Sequence, residues 1–245
     1  MHVLKNKILT VLMGVALSIF AGCAGSNTDG AKPNALDAAL GQSADQKDAK
    51  VQAREQDKQS LLENMFQSFV SAVSNGSTSE QLLEMLTDSS EYWLDTLEAH
   101  AKSYTPEDLD TCQFYEAYSI LLYRLYEREH LWEVSEYKML WLFLSKGGMF
   151  ERFTSLNLGP VKIKNDRGSV GLAKSPEVPI MLFTWDDSAW KLDLVETVPL
   201  ITKGIEATAS KKNWSNKKLA LYWLDQEYHL QYSRLDDSLC EPIGF

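Results

Sequence analysis

The hydrophobic period of this chain changes from helical to alternating near Leu156, and that change restricts the class of fold it can adopt. Before it, apolar residues recur at helical spacing. Leu61, Leu62, Met65, Phe66, Phe69, Val70 and Val73 form a one-sided stripe, which predicts an amphipathic helix ended by Asn75-Gly76. Ser77-x-x-Glu80 reads as a capping box for a short helix around Leu82, Leu83 and Leu86, and Asp88-x-x-Glu91 opens another with Tyr92, Trp93 and Leu97. Thr105-Pro106-Glu107-Asp108 is a stronger start signal: a cap, a proline in the first turn, then acids at the positive end of the helix dipole. The helix it opens carries Phe114, Tyr118, Leu121, Leu122 and Leu125 and is expected to run to about His130. A further helix, near residues 133–146, stops at Gly147-Gly148.

After Leu156 the pattern alternates. Val161 and Ile163 interleave with Lys162 and Lys164, Asn165-Asp166-Arg167-Gly168 turns the chain, and Val170 and Leu172 follow on a second strand. Residues 180–185 are apolar on both faces, which predicts a central strand. Asp186-Asp187-Ser188 makes another turn before Trp190, Leu192 and Leu194, which alternate with Lys191 and Asp193. Two helices, near 198–209 and 215–228, close the chain. The order predicts an α+β fold: N-terminal helices packed on a curved antiparallel sheet, with additional C-terminal helices from about residue 197. No internal repeat is present at a period of 20–50 residues.

The start of the chain has a different character. Lys5 and Lys7 precede an apolar run over residues 8–20, and Ala21-Gly22 lead into Cys23. At about 1.5 Å per residue the run reaches roughly 20 Å, short of the ~30 Å hydrocarbon core of a bilayer. A basic start, a short apolar middle and small residues make an export signal rather than a membrane span. Phe20-Ala21-Gly22-Cys23 resembles the lipobox of exported bacterial lipoproteins, with phenylalanine where leucine is usual. The resemblance implies cleavage between Gly22 and Cys23, acylation of Cys23, and anchorage of the chain to the lipid bilayer. Ala24 after the cysteine, by the same resemblance, implies the periplasmic face of the outer membrane. Residues 1–22 then form the signal peptide. Residues 23–56, rich in Ala, Asp, Gln, Lys and Ser and without aromatics, form the lipidated end and a tether, and residues 57–245 form the folded domain. The end of that tether, near residues 49–59, is charged and a good helix former, so the first helix has room to begin early.

Charge narrows the partners. The chain holds 24 Lys+Arg against 34 Asp+Glu, a net charge of −10. Such a balance argues against nucleic acid as a partner and against adsorption of the folded body on anionic lipid, leaving membrane contact to the anchor. Hydrophobic residues make up 44% of the chain, ample for one buried core.

The strands from Pro160 to Glu196 are similar to the sheet of the NTF2-like (cystatin-like, α+β cone) superfamily. The matching residues are Val161-Lys162-Ile163, the Asp166–Gly168 turn, Val170-Gly171-Leu172, Ile180-Met181-Leu182-Phe183, and Asp186-Asp187-Ser188-Ala189-Trp190-Lys191 before Leu192-Asp193-Leu194. The superfamily includes cone-pocket dehydratases and an isomerase as well as many non-enzymatic binding and dimerising modules. The resemblance therefore implies either a binding module without catalysis, a cone-pocket enzyme on an apolar small molecule, or a dimerising envelope assembly factor. The first is the expectation, with an envelope protein or an apolar small molecule as partner and a homodimer as a further possibility.

Individual residues carry little chemistry by pattern alone. There is no HExxH, P-loop, Rossmann glycine pattern or nucleophile elbow, and no catalytic residue, cofactor or metal is expected. Asp193 alternates away from the apolar face of its strand, toward a cone or toward solvent. His100, His130 and His229 lie near helix ends among polar neighbours. Arg124, Arg128 and Lys138 have the charge to meet a carboxylate ligand or to pair along a helix surface. Tyr115, Tyr118, Trp141, Trp185 and Trp190 are the candidate lining of a pocket, with core packing as the competing role. Cys112 and Cys240 either pair in an oxidising compartment, or stand as a buried helical thiol and a free tail thiol.

Overall fold

The computed structural model describes residues 41–228, 235 and 237–244, with side chains from Gln56 onward apart from Arg152. It is an α+β fold with eight α-helices and one four-stranded antiparallel sheet among those residues. The helices are α1 (Gly41–Asn75), α2 (Ser79–Leu83), α3 (Asp88–Ser103), α4 (Pro106–Thr111), α5 (Phe114–Arg128), α6 (Lys138–Leu144), α7 (Leu194–Lys211) and α8 (Asn216–Tyr228). The strands are β1 (Lys162–Lys164), β2 (Arg167–Leu172), β3 (Ser175–Asp186) and β4 (Ala189–Leu192), paired as a meander in sequence order.

Of the stripe read from Leu61 to Val73, Leu62, Phe66, Phe69 and Val73 are buried on α1, Met65 and Val70 are half-buried, and Leu61 is exposed. Among the described residues the helix covers Gly41–Asn75, so residue 56 lies within it. Residues 41–57 are rich in Ala, Gln and Lys, which propagate a helix at little cost in side-chain entropy. Residues 1–40, with Gly22 and Cys23, lie outside the described residues.

Several helix boundaries differ from expectation: α3 is capped by Thr87 rather than opened by an Asp88–Glu91 box, and α7 begins at Leu194, expected on the last strand, rather than near residue 198. The cap of α2 is Thr78, not Ser77; its hydroxyl accepts from the Gln81 N–H and the Gln81 side chain accepts from the Thr78 N–H at 3.2 Å. The helix expected from Thr105 to about His130 is two. Thr105 caps α4 as read, but Cys112 is extended (ψ 151°) and Gln113 starts α5, its N–H donating to Glu116 at 3.2 Å. The next N–H of α5, that of Phe114, donates to Glu206 of α7 at 3.1 Å. A free N-terminal amide of the new helix is thus satisfied by a side chain distant in sequence, a partner no local pattern displays. The helix expected over residues 133–146 shrinks to α6, because His130 and Tyr137 take left-handed backbone angles (φ 53° and 52°) on either side of the irregular segment between them.

The strand reading holds in kind and shifts in length. β3 is flanked by β2 and β4, as an interior strand should be, and starts at Ser175 rather than Ile180. Pro179 sits opposite Gly171, where the register slips on both sides of Gly171. Proline has no ladder N–H, and a bulge absorbs that loss while bending the strands. A Cβ at Gly171 would lie 2.5 Å from the Val178 carbonyl oxygen, so only glycine permits this approach. The outer edge of β4 is covered by residues 85–87, through a bridge between Leu86 and Leu192. The opposite edge, β1, is short and flanked by exposed lysines, which discourages pairing with another chain.

One face of the sheet is filled by α1. Phe66 meets Phe183 edge-on at 6.3 Å, Leu62 sits over Gly168, and the Trp190 indole N–H donates to the Lys58 carbonyl at 2.7 Å. Val170, Met181, Phe183 and Leu192 are fully buried beneath it. Beyond the sheet, α5 is buried on most of its circumference and packs against α3, α6, α7 and α8. No helix among the described residues is long and apolar enough to cross a membrane.

Candidate functional site

The ends of α3 and α5 and the C-terminal segment 237–244 enclose a cleft of about 610 Å³. Its walls are Leu239 and Ile243 together with Lys102, Arg124, Glu127, Arg128 and Glu241. The segment is held there by Arg124. This residue continues the stripe of Ala117, Ile120 and Leu121 on α5 and is fully buried. Its guanidinium donates to the carbonyls of Ala101 (2.7 Å), Tyr104 and Cys240. Ala101 and Tyr104 close the C-terminal end of α3, the negative end of its dipole, where a cation is favoured. Burial pulls the pKa of Arg124 below its ordinary value. The Gly244 N–H adds a bond to the Lys102 carbonyl at 3.2 Å.

Behind Lys102 and Glu127 runs a line of charges and rings. The Lys102 ammonium donates to Glu98 at 2.9 Å, the Tyr123 hydroxyl donates to the same carboxylate at 3.2 Å, and Lys138 pairs with Glu127. Burial first, then the neighbouring Glu98 and Glu127, push the Tyr123 hydroxyl far above its ordinary pKa, so it keeps its proton. Lys138 stands 5.1 Å from the ring centre of Trp132 and 5.9 Å from that of Tyr123, in a cluster that includes Tyr126 and Trp141. Each of these carboxylates already has an ammonium partner.

The five aromatic residues expected to line a pocket are not brought together. Tyr115 packs on Trp93 at 5.8 Å, and burial pushes its hydroxyl up to about 12. Tyr118 stacks on Phe114 and donates to Glu227 at 3.1 Å. Trp141 belongs to the Trp132 cluster. Trp185 and Trp190 meet at the β3–β4 hairpin, where the Lys58 ammonium lies 4.7 Å from the Trp185 ring. None of the five lines the cleft. The reason is that the five lie on four elements, Tyr115 and Tyr118 on α5, Trp141 on α6, Trp185 on β3 and Trp190 on β4, and each packs on its own neighbours.

Cys112 and Cys240 are both free thiols, unpaired with each other, and both are buried. Burial pushes the Cys112 thiol up to about 12 and raises that of Cys240. Asp193 faces neither a cone nor solvent. Its carboxylate caps α7 by accepting from the Glu196 N–H at 3.0 Å and pairs with Arg167 at 3.3 Å. His100 stacks on Tyr104 at 3.9 Å between ring centres, with burial lowering its pKa, and His130 is exposed. Arg124, read as a surface or ligand cation, is the residue whose role differs most; its place on the apolar stripe was the available signal. No group of His, Cys, Asp and Glu among the described residues is arranged to hold a metal ion. No protein-family model matches this chain, and neither a curated protein nor a solved structure matches it significantly.

Proposed function

We propose that this chain is an exported bacterial lipoprotein, acylated at Cys23 and held at the outer membrane, whose folded body is a non-catalytic binding module on an NTF2-like plan with added helices. The filled sheet face carries the second half of this reading. A cone-pocket enzyme needs an open cavity over its sheet, and here Phe66, Phe183, Leu62 and Trp190 occupy that space. The order of helices followed by an antiparallel meander, with the Asp186–Ala189 turn leading into Trp190-Lys191, supports the superfamily assignment. The basic and apolar leader ending at Cys23 supports the anchor.

The ligand or partner of the body is assigned to the cleft beneath the C-terminal segment, where Ile243 offers apolar surface inside a charged rim. Native mass spectrometry of protein released from the envelope in detergent tests this. The expected spectrum holds the acylated chain with a retained small molecule or protein partner that is lost in Ile243→Glu. A chain that carries nothing, or an Ile243→Glu variant that retains the same partner, contradicts the assignment.

A further inference from the structure

We propose that the turn between α7 and α8 is a docking surface for an anionic lipid bilayer, with Trp214 and Tyr222 entering the headgroup layer and Lys211, Lys212 and Lys218 facing the lipid phosphates. Residues 211–218 read Lys-Lys-Asn-Trp-Ser-Asn-Lys-Lys, four lysines without an acid in a chain of net charge −10. One of the four is occupied: Lys217 donates to Asp110 at 2.7 Å and to the Pro106 carbonyl at 3.0 Å. The other three are exposed, and no ion pair engages them among the described residues.

The turn is built, not loose. Asn213 takes a left-handed angle (φ 52°), and the Trp214 N–H closes back on the Ala209 carbonyl at 3.0 Å. This sets the Trp214 ring against Tyr222, which is 42% exposed, at 5.3 Å between centres. The ammonium of Lys212 lies 4.6 Å from the Trp214 ring and 5.5 Å from that of Tyr222, and that of Lys218 lies 5.1 Å from Trp214. Aromatic rings with an apolar body and a polar tip, ringed by long cationic side chains, are the chemistry of the membrane–water interface.

The acidity of the whole chain argues against adsorption, but distance decides the issue. At physiological salt, charges more than about 8 Å away are largely screened, so a surface in contact reads the patch and not the total. The biological setting rests on the anchor proposed above, which keeps a bilayer within reach; the binding itself does not.

The test uses the chain from Cys23 to Phe245 made without its leader, hence without acyl groups. It is floated with vesicles of phosphatidylcholine alone or mixed with phosphatidylglycerol. The expected result is flotation with the anionic vesicles only, reversed by high salt, and weakened about fivefold for each of Lys211, Lys212 and Lys218 changed to Gln. Trp214→Phe should remove the fluorescence blue shift on binding, and Lys162→Gln, on the β1 edge, should change nothing. Equal flotation with both compositions, no flotation, or an equal loss in Lys162→Gln would overturn the proposal. Because this chain carries no acyl group, failure of the anchor and failure of the patch give separate results.

Discussion

The guanidinium of Arg124, near the C-terminal end of α5, donates to the carbonyl of Cys240, 116 residues further along the chain. One buried cation therefore joins the end of α3, the core helix α5 and the C-terminal segment. Replacing it with Ala would strand the carbonyls of Ala101, Tyr104 and Cys240. We expect a loss of about 3–5 kcal/mol in urea unfolding, the sum of two or three unmet polar groups. Arg124→Lys should recover only part of this, since one ammonium cannot reproduce the planar fork. Early proteolytic cleavage of the C-terminal segment in both variants would show that the tie has been cut; wild-type stability in Arg124→Ala would refute it.

The cap of α2 separates the local pattern from the fold. Thr78→Ala should cost about 1 kcal/mol by loss of its bond to the Gln81 N–H, whereas Ser77→Ala should lie within about 0.5 kcal/mol of wild type. Chemical denaturation of the two variants side by side decides between the positions.

Two glycines make a graded pair. A Cβ at Gly168 would meet Leu62 Cδ2 at 2.5 Å, a side-chain end, while at Gly171 it would meet the Val178 backbone oxygen at the same distance. Gly171→Ala should therefore cost more than Gly168→Ala, both within about 1–3 kcal/mol. In a double-mutant cycle Leu62→Ala should offset part of the cost of Gly168→Ala and none of that of Gly171→Ala.

Stability should fall on the alkaline side. The Cys112 thiol rises from an ordinary 9.0 to about 12, and the Tyr115 hydroxyl from 10.0 to about 12. Between pH 9 and 12 the unfolded chain releases these protons while the folded chain retains them, so the unfolded state is favoured progressively as pH rises. Below pH 9 both groups are protonated in both states and contribute no slope. Unfolding free energies measured from pH 8 to 11 should decline, with a smaller decline in Cys112→Ala.

The fold class and the meander were legible because burial on one side of a helix or sheet writes a period of 3.6 or 2 into the sequence. Leu62, Phe66 and Phe69 show it on α1, and Met181 and Phe183 on β3. The break at Cys112-Gln113 was not legible, because its stabilising partner, Glu206, comes from another helix. The cleft was hidden for a related reason. It depends on a C-terminal segment with little secondary structure of its own, fixed by carbonyl oxygens that every residue possesses. The basic turn at residues 211–218 stood in plain view, but the net charge of the whole chain masked it.

The anchor is the claim on which the rest of the functional account stands, and the mass of the protein isolated from its own envelope tests it most directly. We predict a polypeptide beginning at Cys23, heavier than residues 23–245 by the mass of the attached acyl groups, and the loss of that mass in Cys23→Ala. A full-length polypeptide that begins at Met1 and carries no added lipid would contradict it.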